Sequence, residues 1–206
     1  MKNPFEIVDT FEQTIAELAG SKYGVAVDCC TNALFLCLKY LNKTNETITI
    51  PNRTYVGVPC SVRNAGYKVQ FETINWSGVY QLKPLLVFDG ALRFQKNMYK
   101  GGFHCLSFHI KKHLKIGRGG MILTDDEEAR DWFRLARFNG RNPVQHEHDT
   151  FKMIGWNYYM TNSDAARGLW LLSGLDPDTQ LPDIDPVYPD LNKYNFNDYQ
   201  PGEMFK

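Results

Sequence analysis

The chain has 206 residues, room for one full domain and a tail on the usual scale of about 100–200 residues per domain. Hydrophobic residues at 43% and aromatics at 14% can fill a core, while no uninterrupted apolar run approaches the ~20 residues of a membrane helix, so a soluble protein is expected. Lysine plus arginine and aspartate plus glutamate both number 23, which removes the broad electrostatic attraction that nucleic acid or anionic lipid would use and leaves neither as an expected partner.

The opening Met-Lys-Asn-Pro-Phe-Glu leads straight into a helical pattern, without the apolar run and small-residue cleavage site of a secretory signal. Phe5, Val8, Phe11, Ile15 and Leu18 recur every three to four residues behind Asn3-Pro4, and Gly20 ends the pattern, which predicts an amphipathic helix. Residues 24–28 (GVAVD) read as a short strand, followed almost at once by a helix over 31–41. A strand at 47–50 stops at Pro51, a helix covers about 55–65, and another strand follows at 68–71. Leu85 to Phe88 is a compact apolar strand delivering Asp89 at its carboxyl end, residues 103–108 form a further strand, and a hairpin returns along 119–124. Asp125 or Asp126 caps a helix to about Phe138, and Asn162 or Ser163 caps a last one through Leu172.

Strands alternating with helices predict an α/β domain, three layers α/β/α with a mostly parallel central sheet. From Leu175 the periodicity disappears and prolines stand among aspartates, asparagines and tyrosines. The expected organisation is therefore a domain over 1–174 and an extended tail over 175–206, either an arm on a partner subunit or a disordered segment.

Five cysteines, Cys29, Cys30, Cys37, Cys60 and Cys105, are odd in number with two adjacent, which fits reduced thiols and a cytoplasmic setting better than a disulfide framework. The histidines show no metal-ligand spacing; His146-Glu147-His148-Asp149 reads as a polar loop before a metal site. In open α/β sheets ligands sit outside the carboxyl ends of the strands, where Cys29 to Thr31, Asp89 and Lys112 all fall. Lys112, in the run Ser107-Phe108-His109-Ile110-Lys111-Lys112, has two readings. It belongs to a solvated basic loop with Lys111, Lys115 and Arg118, or it is a partly desolvated amine able to condense with an aldehyde.

The order of these segments resembles the DegT/DnrJ/EryC1/StrS family of sugar aminotransferases, which use pyridoxal phosphate (PLP) on the fold-type I scaffold. The resemblance rests on Val27-Asp28-Cys29-Cys30-Thr31-Asn32-Ala33-Leu34, Pro51-Asn52-Arg53-Thr54-Tyr55, Asp89, and SFHIKK with GRGG. It continues through Ala136-Arg137-Phe138-Asn139-Gly140 and Gly155-Trp156-Asn157-Tyr158-Tyr159-Met160-Thr161. It implies that Lys112 holds PLP and later moves the proton, and that Asp89 pairs with the pyridine nitrogen. Tyr55 would lie against the cofactor face, Ser107 would donate to the phosphate, and Cys30 and Thr31 would present backbone N–H groups at a helix start. Asn157 would reach the phosphate of a second subunit, implying a homodimer with shared sites.

The chain also departs from the pattern. Cys29-Cys30-Thr31 replaces Ser-Gly-Thr, and losing that glycine is expected to restrict the backbone. Leu92 stands in place of a glutamine, Arg118 of a glutamate and His113 of an asparagine; an added cation at 118 would favour an anionic substrate or, equally, adjust a changed dimer interface. The segment between Phe71 and Leu85 is abbreviated, and the family's small domain has no visible counterpart after about Leu172. The resemblance implies transfer of an amino group from an amino acid donor to a nucleotide-linked keto sugar. The alternative is a catalytically impaired homologue, acting as a dimeric binding or scaffold protein or needing a complementary subunit.

Overall fold

A computed structural model describes residues 3–143, 150–176, 181–185 and 187–205; the His146 to Asp149 cluster lies outside the described residues. Helix α1 (Glu6–Ala19) buries Val8, Phe11 and Ile15 on one stripe and ends where Gly20 adopts a left-handed φ of 83°, a conformation glycine reaches without steric cost. Strand β1 (Tyr23–Val27) turns at Asp28-Cys29 directly into α2 (Cys30–Leu41). There follow β2 (Thr47–Pro51), α3 (Gly57–Asn64), β3 (Lys68–Glu72), β4 (Tyr80–Gln81), β5 (Val87–Asp89), β6 (Phe103–Ser107) and β7 (Gly120–Thr124). Helix α4 (Glu127–Ala136) is capped by Asp126, whose carboxylate accepts from the Ala129 N–H at 3.0 Å, and α5 (Asn162–Ser173) by Thr161 rather than Asn162 or Ser163.

Five strands form a sheet in the order β1-β7-β6-β5-β4, and β2 and β3 pair separately. Backbone hydrogen bonds between Thr49 and Lys83, at 2.9 and 3.1 Å, bridge β2 to the chain just past β4. The β5–β6 and β2–β3 ladders are parallel, whereas β1–β7, β6–β7 and β4–β5 are antiparallel. The sheet is therefore mixed rather than mostly parallel in its pairing. A parallel crossover needs a dozen or more residues, usually with a helix, and the loop 108–119 between β6 and β7 contains none.

Both faces are covered. Val25, Val27, Cys105 and Ile122 point into one apolar cluster with α2, α3 and α4, while Ala26, Leu106, Met121 and Leu123 point into a second with α1 and α5. This alternation makes the three α/β/α layers expected from the sequence. Glu12 of α1 is buried and accepts from the Ala26 N–H at 2.9 Å and from Arg134 and Arg137, tying α1 to β1 and to the end of α4.

The segment after 181 lies against its own chain. Asn197 imitates a strand residue, accepting from the Val69 N–H at 2.9 Å and donating to the Val69 carbonyl at 2.8 Å, while Phe196 packs edge-on to Phe71. A short 3₁₀ turn at Leu191–Lys193 buries Leu191. Among the described residues no helix is long and apolar enough to cross a membrane, and no group of three or more His, Cys, Asp or Glu is placed to hold a metal ion.

Candidate active site

The carboxyl ends of β1, β5 and β6 converge on one cavity of about 470 Å³, and its lining includes Cys30, Thr31, Tyr55, Asp89, Ser107 and Lys112. Six residues singled out from four separate stretches of sequence thus share one space. Asn157 does not join them: it is exposed, and its backbone bridges Phe138 outside this cavity.

Asp89, at the end of β5, is 6% exposed. Its Oδ1 accepts from the Ala91 N–H at 3.0 Å and its Oδ2 from the Tyr80 hydroxyl at 2.9 Å; the Cys30 thiol lies 3.9 Å from Oδ1. Burial lifts the carboxyl above its ordinary range, against the pull of those donors and of the Lys112 charge. Lys112 follows β6 on a turn closed by its own N–H donating to the His109 carbonyl at 2.8 Å. Partial burial lowers the Lys112 ammonium, while Asp89 and Cys30 pull it back up. An amine in this balance supplies the neutral, nucleophilic form more readily than a solvated lysine.

Helix α2 begins with Cys29 as an extended N-cap whose side chain caps no N–H of the helix. The first-turn N–H groups of a helix have no intrahelical partners, and with Ser107 lining the same cavity they form a place for an anion. Neither Cys29 nor Cys30 adopts a positive φ, so the restricted backbone of a non-glycine residue fits this turn without strain. What the substitution adds is a buried thiol, 3.6 Å from the Cys105 carbonyl and facing Asp89. The glycine this turn does require is Gly120 on β7, where a Cβ would stand 2.5 Å from the Cys29 carbonyl carbon and 2.6 Å from the Cys30 nitrogen.

The remaining departures also find places. Leu92 is buried and forms part of the cavity wall. Arg118 pairs with Asp28 at 2.6 Å, so its charge is already matched within the chain. His113 points away to the tail, its Nε2 lying 2.8 Å from the Pro182 carbonyl oxygen. Tyr55 is 54% exposed at the cavity rim, which removes tight core packing as an account of it.

Sequence reasoning missed Tyr80, Trp76, Ile184 and Tyr188. Tyr80 anchors Asp89 and the other three line the cavity. The first two fall in the stretch read as abbreviated and the last two in the tail; aromatic content could have drawn attention to Tyr80, Trp76 and Tyr188, and nothing in the sequence marks Ile184.

A sequence profile of the DegT/DnrJ/EryC1/StrS aminotransferase family matches residues 2–86 and 95–180. The spore coat polysaccharide biosynthesis protein SpsC of Bacillus subtilis is 26% identical over 200 residues, covering 75% of this chain and 49% of that protein. GDP-perosamine synthase of Caulobacter vibrioides is 26% identical over 210 residues, covering 81% of this chain and 56% of its own length. Among solved structures, the aminotransferase PseC of Helicobacter pylori, involved in pseudoaminic acid biosynthesis, superposes with a TM-score of 0.66 at 21% identity, over 80% of this chain and 56% of that one. AtS13 of Actinomadura melliaura gives 0.70 at 20% identity, over 82% and 60%. The chain thus shares their fold and spans about half the length of the curated relatives it matches.

Proposed function

Because the chain belongs to the DegT/DnrJ/EryC1/StrS aminotransferase family, we propose that residues 1–174 form a pyridoxal phosphate-binding unit. We further propose that the protein moves an amino group from an amino acid donor to a nucleotide-linked keto sugar. The observation that carries this reading is the meeting of Lys112 and Asp89 in one cavity. The residues suit PLP: an amine held below its ordinary pKa for the aldehyde, a buried carboxylate for the pyridine nitrogen, and a helix start with a serine hydroxyl for the phosphate.

Bound there, PLP would supply an electron sink for charge developing at the carbon that loses its proton. Asp89 would keep the pyridine nitrogen protonated, Lys112 would carry the proton between carbon atoms once displaced by the incoming amine, and Tyr55 would pack on the ring. Ser107 and the N–H groups of Cys30 and Thr31 would hold the phosphate, with the helix dipole favouring that anion by about 0.3–1 kcal/mol in total. Exposed Asn157 would act on the site of a second copy, in a cytoplasmic homodimer. The nucleotide-linked sugar is taken from relatives such as GDP-perosamine synthase.

The test is a visible absorption band on adding PLP to the purified protein, fixed by borohydride onto Lys112 and absent in Lys112→Ala. Lack of a band at saturating PLP, or reduction onto another lysine, overturns the reading. A second reading, cofactor binding with impaired turnover, is favoured by Leu92, which presents no hydrogen-bonding group to the cavity. Under it the band persists when amino donors are added.

A further inference from the structure

The family match ends at residue 180, and Ile184, Val187 and Tyr188 beyond it line the cavity. Two anchors hold this segment. At the first, Arg93 grips Asp183 with Nε at 2.8 Å and Nη2 at 2.6 Å, the Ser77 hydroxyl adds a bond at 2.8 Å, and the Ile184 N–H donates to the Leu92 carbonyl at 3.0 Å. At the second, Arg53 donates to the Tyr188 carbonyl at 3.2 Å, the Asn52 amide donates to Asp190 at 3.0 Å, and the Leu191 N–H donates to the Asn52 carbonyl at 2.9 Å. Between the anchors Ile184, Val187 and Tyr188 line the same cavity as Lys112 and Asp89.

We infer that this segment is a built-in strap completing the cofactor site, and that Tyr188 is a binding residue whose ring contacts the PLP held beneath it. The Tyr188 ring is half-buried and lies nearly parallel to Trp76, at 13° and 6.5 Å between centroids. Burial chiefly, with smaller contributions from Asp89, Cys30 and Tyr55, pushes its phenol up to about 12. It therefore stays neutral at physiological pH and presents a flat ring and an O–H donor. The bidentate Arg93–Asp183 pair is the clasp: such a pair fixes geometry as well as charge, and Asp183 is held below its ordinary range chiefly by its hydrogen bonds from Arg93.

The inference rests on the PLP reading above, and the experiment separates the two. Full-length wild type, Tyr188→Ala, Tyr188→Phe and Arg93→Gln are titrated with PLP. Hydrogen exchange of residues 187–191 is followed with and without the cofactor. Loss of one aromatic contact is expected to weaken PLP binding about 3- to 10-fold in Tyr188→Ala, while Tyr188→Phe keeps the ring and stays within about 2-fold of wild type. Arg93→Gln frees the clasp, so it weakens PLP and speeds exchange in the strap. PLP slows that exchange in wild type, which a purely structural tyrosine would not bring about. If wild type forms the borohydride-fixed adduct but Tyr188→Ala binds PLP equally well, or PLP leaves exchange at 187–191 unchanged, the strap inference falls alone. If wild type forms no adduct, both fall.

Discussion

The Tyr80 hydroxyl donates to Asp89 Oδ2 at 2.9 Å, and the two residues face each other in register across β4 and β5. Tyr80 in turn shares a 2.7 Å hydrogen bond with the Thr54 hydroxyl, so a three-residue chain holds the buried carboxylate from the side of the sheet. The two-residue strand β4 thus acts on the site without lining it with any polar group of its own.

Tyr80→Phe removes a hydrogen bond to a buried ionisable acceptor, of the kind worth about 1.5–3 kcal/mol when the acceptor is charged. The folded-state pKa of Asp89 is raised, so the native protein binds this proton more tightly than the unfolded chain does. That contribution is present at low pH and is lost as pH rises through the folded value. Without the tyrosine donor the charged form is poorer still. Urea unfolding should show Tyr80→Phe costing about 1.5–3 kcal/mol at neutral pH and clearly less near pH 4. An equal cost at both would mean that Tyr80 supports the fold without supporting the carboxylate.

Gly120 lets β7 press against the turn that opens α2, with no room for a Cβ between them. The atoms in the way are backbone, so they cannot rotate aside as a side chain would. Gly120→Ala should therefore destabilise the fold by about 1–3 kcal/mol, lower the melting temperature by several degrees, and weaken PLP binding by displacing the helix start that faces the phosphate. A variant that melts like wild type and binds PLP unchanged would show that the turn relaxes freely.

What the sequence made legible follows from where its signals are local. Asp89 and Lys112 stand out in the sequence because apolar strands end in polar residues there, and a strand end in an α/β sheet is where loops gather, whereas Ser107 is singled out only by the family resemblance. The return of β7 beside β6 followed from the glycines at 117, 119 and 120, but strand direction across the whole sheet is a matter of long-range pairing that periodicity does not encode. Tyr80 was invisible because two residues make no alternation. The contacts of the tail carry no periodic signal for a related reason: its described residues are held by side chains gripping backbone, as with Arg53 on Tyr188 and Asn197 on Val69, and not by an amphipathic face. Losing glycine at Cys30 was expected to restrict the backbone, and the backbone there lies outside the left-handed region, so the cysteine adopts it and adds a thiol facing Asp89.

His104, the second residue of β6, is 3% exposed between the rings of Phe88 and Tyr99 at 4.5 and 5.3 Å. Burial lowers its pKa from 6.5 to about 4, outweighing the raising influence of the Gly101 backbone. Because the folded value is depressed, the unfolded chain binds the extra proton first. The stability this residue contributes is complete above about pH 6.5 and is lost as pH falls toward 4. At about pH 5 the loss amounts to roughly 2 kcal/mol relative to pH 7.5. His104→Phe keeps an aromatic ring but cannot titrate, so its unfolding free energy, measured by urea at the two pH values, should fall less steeply than wild type by about that amount. Parallel pH profiles for the two proteins would mean that the imidazole finds a proton acceptor in the folded state, and that this corner of the sheet plays no part in acid sensitivity.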